Sequence, residues 1–386
     1  MNPTNNSYNP DQLSAQLKKC VAPATEALSL PPECYTSEAV LQAELTAIFR
    51  RNWIGIGHAG RFKAAGDYES LTLGGVPLIV LRDKAGNLRA FANSCRHRGA
   101  QLLEGEGNCG MIKCPFHKWA YKLDGTLAGV PQIDDFNELD RSQYGLIEFR
   151  AAEACGFGFV CLDNNAPALG EQIGDFADLH SPWPLETLVP TKRRSFEVNC
   201  NWKAFLEVFN EYYHLPYVHP SSINSLYAKP DAADIVTGAY ASQYGGTDGS
   251  GALLEDQQDQ VLPPMPDLDP SVRNGVRYTW VFPNMSFALG SDALWMYEAA
   301  PIDAHRCYVT QTACFPRQTT EAPNFPTQAQ QYYHRLDEAI DEDIPALENQ
   351  QQGLNSPFAR QGPFSALLEA NVASFANWYA QQLLDA

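Results

Sequence analysis

A chain of 386 residues, 45% apolar and 19% charged, is ordinary globular sequence with room for two or three domains, which excludes a disordered protein. Lys and Arg number 27 against 45 Asp and Glu, and the formal charge of −18 argues against nucleic acid and anionic membranes as partners. Apolar runs such as VPLIVL (76–81) are too short to span a bilayer or serve as a signal peptide, so a soluble, cytoplasmic protein is expected.

Residues 1–53 read as an N-terminal segment. It begins as a Pro-punctuated, loosely ordered lead-in to about residue 35. Between Ser37 and Trp53, Leu41, Leu45, Ile48 and Phe49 then recur at i, i+4, i+7 and i+8, the spacing of an amphipathic helix. From 54 to 162 the texture changes to short β-type runs (VPLIVLRD, LRAFAN, FGFVCLD) split by turns such as Asp124-Gly125, which predicts a small all-β domain with two long loops. Residues 163–195 read as a linker. The remainder, 196–386, mixes element types. A helix is expected at 201–215, an irregular Gly-, Asp- and Pro-rich stretch at 240–272, and an antiparallel meander in RYTWVF, MSFALG, ALWMYEA and CYVTQTACF. Closing helices are expected at about 326–350 and 364–384, the last with a stripe of Leu368, Val372, Phe375 and Tyr379. The fold class is therefore α+β.

Ten cysteines without an export signal imply free thiols or metal ligands rather than a disulfide framework. Eight lie in ordinary sequence and read as small buried hydrophobes. The other two sit beside histidines, as Cys95-x-His97 and Cys114-x-x-His117, with 16 residues between the pairs. Two loop tips, each presenting one thiolate and one imidazole, can grip a compact metal centre from opposite sides. A two-Cys, two-His zinc site is the nearest alternative, but it usually groups like ligands together. Alternating pairs suit a Rieske [2Fe–2S] cluster, in which Cys95 and Cys114 would hold the inner iron and His97 and His117 the exposed one.

A second constellation lies in NWKAFLEVFNEYYHLPYVHP. Trp202, Phe205, Leu206 and Phe209 form an inward stripe, while Glu207, Glu211 and His214 fall at i, i+4 and i+7 on another face. Pro216 is expected to end the helix near Leu215, so that His219 arrives from the following turn and converges on His214. Downstream, Asp343 occupies an apolar stripe with Leu336, Ile340 and Leu347, where a carboxylate is costly unless paired or bound to metal. Pro345 suggests a local distortion there. Two histidines and one carboxylate make the facial triad of non-haem Fe(II) oxygenases, which leaves positions open for O₂.

With Arg98-Gly99 after the first Cys–His pair and Pro115, Phe116 and Trp119 around the second, the chain resembles, over nearly its whole length, the large (α) subunit of Rieske non-haem iron oxygenases. That resemblance implies an N-terminal Rieske domain joined to a helix-grip (START-like) catalytic domain. The family motif Asp/Glu-x-x-His-x₄-His plus a distant Asp maps onto Glu211, His214, His219 and Asp343, with Asp337, Asp341 and Glu342 competing for the last place. It further implies a homotrimer in which Glu211 bridges His214 and His117 of the partner subunit. Glu rather than Asp at that position is similar to the carnitine, stachydrine and betaine branch, whereas Val208 departs from the Asn often found there.

The implied chemistry is reductive O₂ activation at a mononuclear Fe(II). No Gly-x-Gly-x-x-Gly follows a strand and no Cys₄ ferredoxin spacing is present, so NAD(P)H would act through a separate flavin/iron–sulfur reductase or a ferredoxin. Tyr278, Trp280 and Phe282 at period two, then Phe287, Trp295 and Tyr297, are candidates for the substrate pocket. With Glu298 or Asp292 nearby, such rings can hold a quaternary ammonium by cation–π attraction. A methylated or quaternary amine, hydroxylated or oxidatively demethylated, is the favoured small-molecule substrate. The alternatives are an aromatic-ring hydroxylating dioxygenase, an aryl O-demethylase and, more remotely, a non-enzymatic Rieske electron-transfer protein.

Overall fold

A computed structural model describes residues 10–22 and 26–386 and divides into two units, 49–169 and the described part of 1–48 together with 170–386. Among the described residues, no helix is long and apolar enough to cross a membrane.

Residues 49–169 are all-β. Strands β1 (Ile54–His58), β2 (Asp67–Leu73), β3 (Val76–Arg82), β4 (Leu88–Ala92), β5 (Glu106–Asn108), β9 (Glu148–Ala154) and β10 (Phe157–Cys161) form an antiparallel sheet in the order β1-β10-β9-β4-β3-β2-β5. A second sheet, β6 (Ile112–Lys113), β7 (Ala120–Tyr121) and β8 (Leu127–Gly129), carries the second loop. Cys95 and Cys114 belong to the buried cluster of Ile79, Leu81, Phe91, Trp119 and Tyr121, so both loops are rooted in the core at their cysteines.

The other unit is α+β. Strands β11 (Leu188–Val198), β12 (Tyr240–Gly246), β13 (Gly275–Val281), β14 (Met285–Leu289), β15 (Leu294–Asp303) and β16 (Arg306–Pro316) form an antiparallel sheet in the order β11-β16-β15-β14-β13-β12. Its helices are α1 (Pro10–Leu17), α2 (Glu33–Thr36), α3 (Glu38–Glu44), α4 (Leu169–Ile173), α5 (Phe176–His180), α6 (Trp202–Phe209), α7 (Leu215–Val218), α8 (Arg317–Thr320), α9 (Phe325–Leu354) and α10 (Ala370–Leu384). Register assigns the sheet faces. Tyr278 pairs with Ala288 and Ala288 with Trp295, while Trp280 pairs with Ser286 and Ser286 with Tyr297, so these side chains share one face. Rings of α6 and α10 and the guanidinium of Arg335 on α9 pack on that face. Thr279, Phe287 and Glu298 point to the opposite face, where α5 supplies Phe176 and His180.

Several expectations change here. The lead-in is ordered where it is described: α1 buries Leu13 and Leu17. The predicted helix over 37–53 is capped by Ser37 but widens into a π turn at Leu45–Phe49. Glu44 explains the anchorage. Its buried carboxylate accepts from Lys203 Nζ at 2.6 Å, Trp202 Nε1 at 2.9 Å and Tyr379 OH at 2.5 Å, tying α3 to α6 and α10. A buried charge is tolerable only with such a full set of partners. The stretch read as a linker holds α4, α5 and the start of β11, with Phe176, His180, Trp183 and Leu185 buried.

Candidate metal centres and substrate pocket

Both Cys–His tips are built from tight turns. The amide of Gly99 (φ +75°) bonds Cys95 O at 2.9 Å, and that of Lys118 (φ +60°) bonds Cys114 O at 3.1 Å. Asn93 Oδ1 anchors the first loop by accepting from the amides of Leu102 and Leu103 at 2.9 and 3.1 Å. The thiols are buried and the imidazoles partly exposed. His97 Nδ1 and His117 Nδ1 face each other at 3.2 Å, with His97 stacked on Trp119 and His117 on Phe116. Burial, His117 and Arg98 all lower the His97 pKa, as suits a ring whose lone pair serves a metal. Tyr121 OH accepts from the Arg96 amide at 3.1 Å and lies 3.3 Å from Cys95 Sγ, to which it would donate once that sulfur is a metal-bound thiolate. A hydrogen bond aimed at a thiolate, thiols inside and imidazoles outside fit a [2Fe–2S] cluster with one iron of each kind.

The second centre is assembled from three segments. Asn201 caps α6, and the helix stops at Phe209 because Asn210 turns inward, donating through Nδ2 to Leu206 O at 2.6 Å and Ser286 Oγ at 2.7 Å. The predicted helix to 215 is therefore cut short, and Glu211 and His214 stand on a bent link rather than on a common helix face. Pro216 opens α7 instead of ending a helix, since a first-turn residue needs no N–H donor. His219 follows at the C-cap of α7. Asp343 comes from α9, which continues through Pro345 without a break, so the expected distortion does not interrupt it.

Donor atoms of His214, His219 and Asp343 all lie within 4.8 Å of one another. Asp343 Oδ1 is 3.0 Å from His219 Nε2 and 3.6 Å from His214 Nε2, yet it is buried without a hydrogen bond. Three donors turned on one point, one of them an orphaned carboxylate oxygen, fit a divalent metal. Each histidine is held from behind. His214 Nδ1 donates to Glu211 Oε1 at 2.5 Å, and His219 Nδ1 to Glu342 Oε2 at 2.6 Å, where Ser222 Oγ also donates at 2.7 Å. Burial lowers the His214 pKa, but Glu211 and Asp343 outweigh it, so the net shift is upward. Of the competing acids, Glu342 supports His219, Asp341 is exposed, and Asp337 pairs with Lys192 at 2.7 Å and Arg194 at 3.0 Å.

Beside the triad lies a narrow cavity of about 40 Å³, lined by Phe205, Phe209, Tyr212, Tyr278, Tyr297 and Arg335 among others. Of the six rings predicted to line the pocket, Tyr278 and Tyr297 do so. Trp295 stands behind, under the guanidinium of Arg335. Trp280 and Phe282 are taken up by Phe375 of α10, Trp280 stacking on it at 3.9 Å, and Phe287 lies on the other sheet face. Neither predicted acid is among the lining residues. Asp292 accepts from Ser250 Oγ and Tyr332 OH, and Glu298 faces away. Arg335 escaped the sequence reading, although it lies two i+4 steps before Asp343 on the buried stripe that singled out that acid. Spacing alone places Phe205 and Phe209 in the inward stripe and does not single out Tyr212, because their exposure to a cavity depends on where α6 ends.

Two family models match the chain: a Rieske [2Fe–2S] domain over residues 52–141 and a ring-hydroxylating alpha subunit (catalytic domain) over residues 185–385. The glycine betaine monooxygenase oxygenase subunit of Chromohalobacter salexigens is 26% identical over 389 aligned residues, covering 92% of this chain and 86% of that protein. The carnitine monooxygenase oxygenase subunit of Escherichia coli is 33% identical over 204, covering 52% and 54%. The crystal structure of the quaternary ammonium Rieske monooxygenase CntA in complex with L-carnitine superposes with a TM-score of 0.79 at 26% identity, covering 95% of this chain and 98% of that one.

Proposed function

The chain belongs to the family of ring-hydroxylating alpha subunits, Rieske oxygenase components served by a separate reductase or ferredoxin, and from that premise we propose that it acts on a small methylated amine. The observation that carries this reading is the set of aromatic rings, Phe205, Phe209, Tyr212, Tyr278 and Tyr297, gathered beside the His214, His219 and Asp343 donors. Ring faces hold an alkylated ammonium by cation–π attraction. The named activities of the betaine and carnitine relatives point the same way.

In this assignment Cys95, Cys114, His97 and His117, within residues 54–162, hold the cluster. His214, His219 and Asp343, within 196–386, hold the mononuclear iron. Bound there, the cluster supplies single electrons and the iron activates O₂. Glu211 and Glu342 fix the imidazoles so that both Nε2 atoms stay directed at the metal position. In a trimer, Glu211 would also accept a hydrogen bond from His117 of the partner subunit. Hydroxylation inserts one oxygen atom of O₂ into a methyl C–H bond, and the other leaves as water with two electrons and two protons. An N-hydroxymethyl product then splits into the demethylated amine and formaldehyde.

The test is substrate-dependent O₂ uptake and formaldehyde release with a surrogate reductase. Betaines, carnitine and choline are compared with benzoate and vanillate. Coupled turnover of the aromatic acids, with none of the ammonium compounds, refutes the amine assignment.

A further inference from the structure

Arg335 is a cation that this pocket does not neutralise. Its side chain lines the cavity and is 3% exposed. The guanidinium lies 5.1 Å from the Trp295 ring centre, Nη2 donates to Tyr227 OH at 3.4 Å, and Nε has no partner. Other arginines of the same unit are paired: Arg277 with Asp234, Arg194 with Asp337, and Arg306 with Asp303 and Glu197. Among the described residues no Asp or Glu forms an ion pair with Arg335. Ring faces and one phenol oxygen are weak recompense for a buried guanidinium, which ordinarily demands a carboxylate. The planar fork is suited to a carboxylate held through two parallel N–H donors.

We propose that Arg335 is a carboxylate-binding subsite, so that the substrate is a zwitterion carrying a carboxylate as well as its methylated ammonium. This rests on the methylated-amine assignment and narrows it. Arg335 and Asp343 are eight residues apart on α9, about 12 Å along the helix axis. Both line one cavity, with the rings of Phe209, Tyr278 and Tyr297 beside them. A carboxylate on Arg335 leaves the ammonium end of the same molecule among the rings, with its methyl groups directed to the triad. A plain cation of equal size gains the same ring contacts but meets the uncompensated guanidinium, so the pocket selects against it.

The experiment measures binding to the iron-loaded, full-length protein by calorimetry and by quenching of tryptophan fluorescence. Glycine betaine, carnitine and proline betaine are each compared with a counterpart lacking the carboxylate, and benzoate is included. The expected result is that at least one zwitterion binds about tenfold or more tightly than its counterpart. Arg335→Gln should erase that preference by weakening the zwitterion and leaving the cation unchanged or tighter, with iron content preserved; Arg335→Lys should keep part of it. Equal or tighter binding of the cations by the unaltered protein overturns the subsite and leaves the amine assignment standing. So does a zwitterion affinity indifferent to Arg335→Gln. Tight benzoate binding that depends on Arg335, with no ammonium compound bound, supports the subsite and overturns the amine assignment.

Discussion

Glu342 Oε2 accepts the Nδ1 proton of His219 at 2.6 Å, so the acid next to Asp343 in sequence holds a histidine in place while Asp343 itself turns to the metal position. Glu211 stands in the same relation to His214. Adjacent carboxylates on one helix thus have separate tasks, because a step of one residue rotates the side chain by roughly 100° around the axis. Glu342→Gln should weaken iron binding about 10- to 100-fold, the usual cost of losing an orienting partner, while Asp343→Ala should lose the mononuclear iron outright. Metal analysis after titration with a chelator separates the two, and the Rieske spectrum should persist in both. Full iron in Asp343→Ala would remove it from the ligand set.

Glu211→Gln should weaken the mononuclear iron as Glu342→Gln does; reconstituted with excess iron, so that both centres are present, it should still lose nearly all turnover, because the proposed route between subunits runs through this carboxylate. A mixing experiment tests the route directly. Cys95→Ala subunits lack the cluster but keep Glu211, and Glu211→Gln subunits keep the cluster. Co-expressed and purified as mixed oligomers, the two inactive variants should recover part of the activity. Mixed oligomers as inactive as either parent would place electron transfer within one subunit.

With Cys95 Sγ a metal-bound thiolate, Tyr121 would donate towards it, and that bond favours the electron-rich, reduced cluster. Tyr121→Phe removes it and should lower the reduction potential by tens of millivolts, the equivalent of about 1 kcal/mol for a one-electron couple. Protein-film voltammetry reads the shift, and an unchanged or raised potential would contradict the direction of the bond.

What could be read from sequence was what is local. Cys95-x-His97 and Cys114-x-x-His117 lie on single turns, and the His214–His219 spacing spans one short helix, so chain geometry brings each pair together. Asp343 was legible because a carboxylate in an apolar stripe is anomalous at sight. The end of α6 was not, since Asn210 stops the helix through Ser286, a partner 76 residues away. Strand alternation correctly put Tyr278 and Trp280 on one face. It carries no information on which helix covers each, and α10 takes Trp280 while Tyr278 is left to the cavity. Arg335 satisfies the same stripe argument as Asp343, but a long cationic side chain in a helix ordinarily snorkels to solvent, which makes its burial unreadable without the tertiary fold.

Glu207, read from spacing as sharing a polar face with Glu211, is buried under Tyr35, whose hydroxyl donates to it at 2.6 Å. Burial raises its pKa to about 7, against the opposing pull of the Tyr35 hydrogen bond and the Lys203 charge. The unfolded chain ionises this group near the ordinary 4.5. Between those values the folded state holds more protons than the unfolded one, so its contribution to stability falls as pH rises through that window. Glu207→Gln keeps an oxygen to accept from Tyr35 and removes the titration. The variant should therefore gain on the wild type between pH 4.5 and 8, by on the order of 3 kcal/mol across the window. His180, whose pKa burial depresses to about 3, loses stability as pH falls below its ordinary range, but it does so in both proteins and cancels in the difference. Chemical unfolding of the two proteins at matched pH values measures that difference, and parallel stability curves from pH 4.5 to 8 would show that Glu207 is ionised throughout.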